Sequence, residues 1–521
     1  MLRTICDLDE ETLQRELGRL VEAELLYQRG APPEATYVFK HALIQETAYQ
    51  SLLRSTRLQY HNRIARILVG PHSDEAETHP EMVAMHYTEA GEGEPAVRWW
   101  QKAGQHAFRR ASYAEAIAHY QKGLRVLQSL PASSQRDQLE LGLQVELGYA
   151  LIPVRGWAAA ETAPTFTRAG ELCREIRDAP QMFRALWGLG AVYFVRGDQH
   201  QARKVADQCL SLVQNTHDPD AEIEAYYLSG IVWCAMGHFA SGQSDLEQCI
   251  KLYGAEVRDA HRILYGQDAK ASALGWLAMA LWVLGRPDEA LTRAEEALSF
   301  VKDLEQPFLL ARGWAGLGFV MVYRQESQQA EDPLQRAIGL CVEQGFTYFH
   351  AVVSAFRGIN LVHLGNTDDG ITVMQTNVEA LRTIGSEHLF TVILGNLAAA
   401  HLAANQIAQG LDVIDDGLKC VKANGEHWAE AELHRVRGHL LLRAESKEDA
   451  KESFKTAMSI ARQQQAKSYE LRAAMDLALL WHQQGRCAPA KALLVSAISA
   501  WPETLETFDL RNARQLSRQL A

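Results

Sequence analysis

From about residue 96 to residue 500, apolar stretches at helical spacing alternate with short polar strings, and the strings recur at a fixed interval. They are GDQHQA (197–202), GHFASG (237–242), GRPDEA (285–290), QESQQA (325–330), GNTDDG (365–370), NQIAQG (405–410), ESKEDA (445–450) and GRCAPA (485–490). Their last residues, Ala202, Gly242, Ala290, Ala330, Gly370, Gly410, Ala450 and Ala490, lie 40 residues apart, except for one step of 48 between Gly242 and Ala290. Six of the eight strings open with Gly or Asn, which tolerate the left-handed backbone that follows a helix. Each string therefore reads as a turn, with its Ala or Gly anchor in the first turns of a second helix.

The residues around the anchors carry the rest of the pattern. Twelve positions before them stand Gly190, Gly230, Ala278, Gly318, Gly358, Ala398, Gly438 and Ala478, all small. Four positions after come mostly apolar fillers, Ala206, Leu246, Ala294, Leu334, Met374, Ile414, Phe454 and Leu494. Seven after come mostly small residues again, from Cys209 to Ala497. Spacings of four and seven return to one helical face. Small residues facing each other on antiparallel helices predict close backbone approach.

An earlier copy is legible in AVRWWQKAGQHAFRRASYAEAIAHYQKGL (96–124), with anchor Ala116 and Gly104 twelve before it. A blurred copy lies around Gly148–Ala169, with an extended turn GWAAAETAPTF. DLRNARQLSRQL (509–520) predicts a closing helix, with Leu510, Ala513, Leu516 and Leu520 on one side and Arg511, Arg514 and Arg518 outward. The pattern resembles the tetratricopeptide repeat, usually 34 residues long. Six extra residues per pair, shared equally, lengthen each helix by ~4.5 Å. The expected fold is all-α: a tetratricopeptide-like α-solenoid of about ten helix pairs, mostly at 40-residue pitch. Such arrays bury each pair on its neighbours and need capped ends.

The N-terminal part differs. DEETLQRELGRLVEAELL (9–26) predicts an amphipathic helix with Leu13, Leu17, Leu20 and Val21 inward. LLYQRG and TYVFK, split by APPEA, predict a hairpin, and HALIQETAYQSLL a further helix. Helix, hairpin, helix suggests a partial winged helix. The first helix carries a net charge of −4, which does not suit a helix lying among phosphates. Residues 37–70 carry +4, which suits a solvated or intramolecular docking face. The expected divisions are a partial winged-helix module (1–70), an acidic linker and first helix (71–95), the superhelix (96–500) and a capping helix (501–521).

Composition narrows the classes. The 521 residues carry 52 Lys and Arg against 64 Asp and Glu, a net charge of −12 that opposes chain-wide attraction to nucleic acid or anionic membranes. Eight scattered cysteines with no CxxC pair fit buried thiols in a reducing compartment. The longest apolar run, Ala271–Gly285, is too short to span ~30 Å of hydrocarbon and predicts a buried helix. The N-terminal segment lacks the layout of a signal peptide. These readings point to a cytoplasmic protein that engages neither nucleic acid nor membrane.

TYVFKHALIQETAYQSLLRSTR (36–57), MVAMHYTEAGEGEPAVRWWQKAG (82–104), HRILYGQD (261–268), GEHWAEAELHRVRGHLLL (425–442) and ARQQQAKSYELRAAMDLALLWHQQGR (461–486) resemble one group of proteins. These are large bacterial signalling proteins that join a class III adenylate/guanylate cyclase domain, an AAA-type signal-transduction ATPase with a winged helix, and a C-terminal tetratricopeptide-like array. The resemblance implies that catalytic domains would lie upstream, with Met1 falling where the winged helix is already under way. The sequence holds no GxxxxGK[ST] phosphate loop and no Asp pair in a recognisable cyclase context. No catalytic residue, metal ligand or cofactor is therefore assigned to this chain.

Three functions remain in view. The first is a non-catalytic regulatory and protein-interaction module whose concave groove takes a protein partner or small effector and whose N-terminal end docks on an upstream ATPase or cyclase domain. The second is a fragment of a multidomain cyclase. The third, the sensor of a transcription regulator, fits less well because one short capping helix after the last repeat leaves no space for a DNA-binding domain. Candidate groove residues lie on the first helices, some 10, 15 and 18 positions before the anchors: Arg184, Trp187, Phe194, Glu224, Tyr227, Trp282, Arg312 and Phe319. At this spacing the Trp and Phe members equally suit core packing. The HRILYGQD segment explains the 48-residue step and adds His261, Arg262, Tyr265, Gln267 and Asp268, which either line a ligand site or brace an irregular turn. His427, His434 and His439 lack zinc spacing and read as structural or surface groups, and His72, His79 and His86 sit in the acidic linker.

Overall fold

The structure is a computed structural model. It describes residues 5–6, 8–32, 35–70, 73–176, 179–216, 218–254, 265, 267–304 and 306–520. Among these residues are 26 helices and one two-stranded sheet, in two compact units, Met1–Leu147 and Gly148–Ala521.

In the first unit, Asp9 caps the helix Glu10–Glu22 by accepting the Thr12 amide at 2.9 Å. Leu13 is buried and Leu17 and Val21 half-buried, but Leu20 stays 40% exposed, because the helix packs chiefly against one strand of the hairpin. That hairpin is β1 (Leu26–Arg29) and β2 (Thr36–Phe39), antiparallel, with Leu26 opposite Phe39. Helices Ala42–Ser51, Arg54–Val69, Ser73–Thr78 and Pro80–Ala90 lead to the first clear pair, Gly93–Arg109 and Tyr113–Gln128. There the ring of Tyr120 lies against Gly104, where a Cβ would collide with it. Ten of the fourteen large apolar side chains exposed in the described structure fall within the first 85 residues, with Leu43 and Leu53 about three-quarters exposed.

The second unit is the repeat array. Counting the pair in the first unit and the pair Ser134–Arg155 and Thr162–Ile176, there are ten helix pairs up to Ser499. The arrangement is tetratricopeptide-like. All eight anchors are buried, Ala202, Ala290, Ala330, Ala450 and Ala490 completely. The close approach is physical: a Cβ on Gly370 would meet the Gly358 carbonyl oxygen at 2.7 Å. In four repeats the filler four residues after the anchor packs against the glycine twelve residues before it, as Leu246 does against Gly230. Leu334 lies against Gly318, Met374 against Gly358 and Phe454 against Gly438. The apolar run forms the helix Ala269–Val283, buried on almost every side. The closing helix Phe508–Gln519 buries Leu510 and Ala513, and Leu520 just beyond it is also buried.

The turns hold more left-handed geometry than their glycines announce. All eight strings begin with a positive φ, including Gln325 (58°), Asn405 (58°) and Glu445 (61°).

The array also closes on itself. The Val195 carbonyl, at the end of helix Ala179–Arg196, accepts the Glu387 amide at 3.1 Å and the Ser386 hydroxyl at 3.1 Å. The Ala235 carbonyl, at the end of Pro219–Ala235, accepts the His427 amide at 2.8 Å, and the Trp282 carbonyl accepts the Ser468 hydroxyl at 2.5 Å. Helix C-termini leave carbonyls without intrahelical partners, and here segments 186 to 192 residues later satisfy them. One superhelical turn thus takes nearly five pairs, and its concave side is roofed by the next turn. The expected long open groove is in this unit a set of separate cavities, partly open to solvent.

Candidate functional site

The first cavity lies on the inner side of this coil. Helix Ala179–Arg196 contributes Trp187 and Phe194, and Pro219–Ala235 contributes Tyr227. Trp276 comes from Ala269–Val283, Arg312 from Pro307–Tyr323 and Phe349 from Thr347–His363. His388 closes it from the segment that bonds to Val195. All the helical contributors are first helices of their pairs. Counted with the solvent at its mouth, the space is about 590 Å³, and it adjoins a second one of about 540 Å³. Trp276, Arg312, Phe349 and His388 line both.

The polar groups are few and oriented. Gln267 donates to Glu224 Oε2 at 3.1 Å and accepts from Arg312 Nη1 at 3.4 Å, so its amide stands between the guanidinium and the carboxylate. The Tyr348 hydroxyl is 2.8 Å from His388 Nδ1. Burial, and then the Arg312 charge, hold the His388 pKa down to about 3, so the ring is neutral. Burial raises the Tyr227 and Tyr348 hydroxyls, while Arg312 pulls both back. Beneath this cavity, Glu426 accepts the Thr391 amide at 3.0 Å, and burial pushes its carboxyl up to about 7.

Of the candidates named from sequence, Trp187, Phe194, Tyr227, Gln267 and Arg312 meet at the first space, and Phe319 lines the adjoining one. Trp187 also donates its indole N–H to the Glu224 carbonyl at 3.2 Å. Arg184 stacks over Tyr149 at 5.2 Å, and Tyr265 packs edge-on against Trp187. Asp268 caps the helix Ala269–Val283, accepting the Ala271 amide at 2.9 Å and the Tyr253 hydroxyl at 2.6 Å. Trp282 stacks on Tyr323 at 4.8 Å, away from the first space. His261 and Arg262 lie outside the described residues.

A second cavity, of about 960 Å³, follows further along the array. Arg435 donates to Glu432 at 2.9 Å and to Asp476 at 2.9 Å. Arg472 donates to Asp509 at 2.8 Å and to Glu432 at 3.3 Å, and His439 lies 2.8 Å from Asp476. Burial works against the Glu432 and Asp476 charges, yet the arginines hold both pKa values low. The network largely neutralises itself. Sequence reasoning missed these residues although the signal existed. Glu432 and Arg472 stand 18 positions before Ala450 and Ala490, the register that gives Arg184, Glu224 and Arg312.

Elsewhere, His427 pairs with Glu430 at 2.8 Å, and His86 faces His61 at 2.8 Å in the first unit. His79 lies 3.2 Å from Glu81, and His72 lies outside the described residues. Among the described residues, no three His, Cys, Asp or Glu side chains converge as a metal site, and no helix is long and apolar enough to cross a membrane.

No family model matches the sequence. An uncharacterized protein of Rhizobium meliloti (strain 1021) is 23% identical over 474 residues, covering 90% of this chain and 46% of the relative. This chain thus spans about half the length of the relative it matches. Among solved structures, it is similar to a Rap protein complexed with competence and sporulation factor (TM-score 0.49, 13% identity, 73% of this chain and 99% of the other). It is also similar to the Cut9–Hcn1 hetero-tetramer of the APC/C (TM-score 0.48, 11% identity, 92% of each). A third is a signal-transduction ATPase with a tetratricopeptide repeat sensor from Pyrococcus horikoshii (TM-score 0.46, 12% identity, 84% and 62%).

Proposed function

We propose that this chain is a non-catalytic regulatory module of a bacterial signalling system, in which the helical array senses a small effector and passes the signal to a protein partner. One observation carries the reading: the cavity of Trp187, Phe194, Tyr227, Trp276, Arg312 and Phe349 is closed by His388, which comes one superhelical turn after Phe194 and lies on the segment bonded to Val195. A ligand bridging Phe194 and His388 binds the closed array better than an opened one. By that difference it shifts the balance between the two. Aromatic walls supply contact area, and the few polar groups supply orientation.

Two measurements test this. A screen of small metabolites by thermal shift should find ligands that raise the melting temperature of the whole chain and lose that effect in Trp276→Ala. Cyclase and ATP-binding assays on the same chain should be negative, and conversion of ATP to cyclic AMP would overturn the non-catalytic reading.

A second reading is that the chain corresponds to the regulatory part of a longer cyclase–ATPase protein. The longer relative supports it, as does the concentration of exposed large apolar side chains, Tyr27, Val38, Leu43 and Leu53 among them, in the first unit. The test is co-purification with the product of the adjoining coding sequence, which should quench exchange at Leu43 and Leu53.

A further inference from the structure

We infer that the effector cavity selects a small organic acid: one carboxylate on an aromatic or otherwise apolar body, the carboxylate meeting Arg312 and the body lying among Trp187, Phe194, Trp276 and Phe349. This rests on the cavity being the effector site and adds the charge and shape of what fills it.

Among the described lining residues of both spaces, Arg312 is the one charged side chain, and none is a carboxylate. Its side-chain partners are neutral, the Gln267 amide oxygen at 3.4 Å and the Tyr227 hydroxyl. Glu224 is screened behind that amide, bonded to its far side. The positive charge is felt around the cavity: it acts on Tyr227, Tyr348 and His388, in each case towards the less protonated form. A half-buried arginine with two-pronged donor geometry and neutral partners is matched to a carboxylate.

The same surroundings exclude other anions. A phosphate or dicarboxylate would bring a second negative charge, and the described walls offer no second Lys or Arg to meet it. The remaining polar groups, Tyr227, Tyr348, Gln267 and His388, are neutral. They can orient a monoanion without balancing a dianion. A cation is opposed by Arg312 itself. The second cavity lacks this imbalance, because Arg435 and Arg472 already bond to Glu432, Asp476 and Asp509.

Phe194 and His388 stand one superhelical turn apart, with ring centres 5.6 Å from each other, and Trp276 and Phe349 line the space beside them. An acid seated between them ties His388 to Arg312, and through the Ser386–His388 segment it strengthens the bonds to the Val195 carbonyl.

The test uses calorimetric titration of the full chain with 2-naphthylacetate, its amide 2-naphthylacetamide, and 2-naphthylethylamine. The acid should bind about 10- to 100-fold more tightly than the amide, as a charge-assisted hydrogen bond allows, with the amine weakest. Arg312→Gln should bring acid and amide to the same affinity, and Arg312→Lys should keep part of the preference. The acid alone should slow hydrogen exchange at the Glu387 and His388 amides. If acid and amide bind equally to the unaltered chain, and Trp276→Ala abolishes both, the cavity is the effector site but the acid preference is wrong. If no compound binds at millimolar concentration, the inference falls. If Trp276→Ala also leaves the metabolite thermal shifts unchanged, the effector reading falls with it. The comparison of acid with amide needs no variant, so a poorly folding Arg312→Gln does not blunt it.

Discussion

The turns that end the first helices of the array fall into two kinds. Gly237 and Gly285 lie where the next superhelical turn packs down. A Cβ on Gly237 would collide with the Gln464 amide and meet His427 Cβ at 3.1 Å, and one on Gly285 would meet Lys467 Cβ at 2.9 Å. Gln325, Asn405 and Glu445 occupy the same place in their repeats with the same sign of φ, and all three carry side chains. Both kinds need left-handed backbone, which costs a residue with a Cβ roughly 1–2 kcal/mol. That cost alone therefore does not fix glycine at these turns. Contact with a later part of the chain does so at Gly237 and Gly285. The contacts, not glycine alone, mark where the coil closes, since Gly365 and Gly485 sit in open turns.

The largest expected effect separates the two kinds most sharply. Gly237→Val adds left-handed strain to a collision with Gln464 and His427, and should cost about 2–5 kcal/mol in denaturant unfolding. A loss no greater than that at an open turn would break the comparison. Acidity comes next, because closure buries two groups with opposed shifts. His388 binds a proton at 6.5 in a free chain but near 3 when buried, so its contribution is complete above 6.5 and is lost as pH falls towards 3. Glu426 moves from 4.5 up to about 7, so its contribution is complete below 4.5 and is lost as pH rises through 7. Glu426→Gln should flatten the loss of stability between pH 4.5 and 7, by up to about 3 kcal/mol, in melts recorded across that range. A parallel pH profile would show that Glu426 is not held buried.

Smaller effects sharpen the same contrast. Gly485 has φ 77° but no atom within 4 Å of a built Cβ. Gly485→Ala should therefore cost only about 1–2 kcal/mol, the backbone strain by itself. Glu445→Gly should be the smallest change. Relief of that strain is offset by the freedom glycine adds to the unfolded chain, leaving a gain of about 1 kcal/mol at most. A clear destabilisation there would mean that Glu445 makes a contact the comparison overlooks.

Much of this array was legible along the chain because its packing is local. The anchors, the small residues twelve before them and the fillers four after them meet within one pair, so a 40-residue period contains the whole contact. Closure was not legible, because Val195 with Glu387 and Ala235 with His427 join residues about 190 positions apart. The only local trace is a delayed helix start. After Gly385 and Gly425 the next helices begin at Phe390 and Glu430, whereas after Gly345 the helix begins at Thr347. The intervening SEH and EHW segments are the ones that reach across. The site divides in the same way. Trp187, Tyr227 and Arg312 follow the repeat register, and so do Glu432 and Arg472 of the second cavity. His388 stands outside any helix, and Trp276 is hidden in a run apolar on every side. Asp268, by contrast, stands immediately before a helix, where a capping role competes with any functional one.

Closure of the coil is the claim on which the cavity, its acid preference and the turn comparison all stand. Hydrogen exchange at the Glu387 and His427 amides tests it most directly, since both precede their helices and bond only to carbonyls from the preceding superhelical turn. Protection comparable to helix-interior amides is the predicted result. Exchange as fast as in an exposed turn would contradict the account.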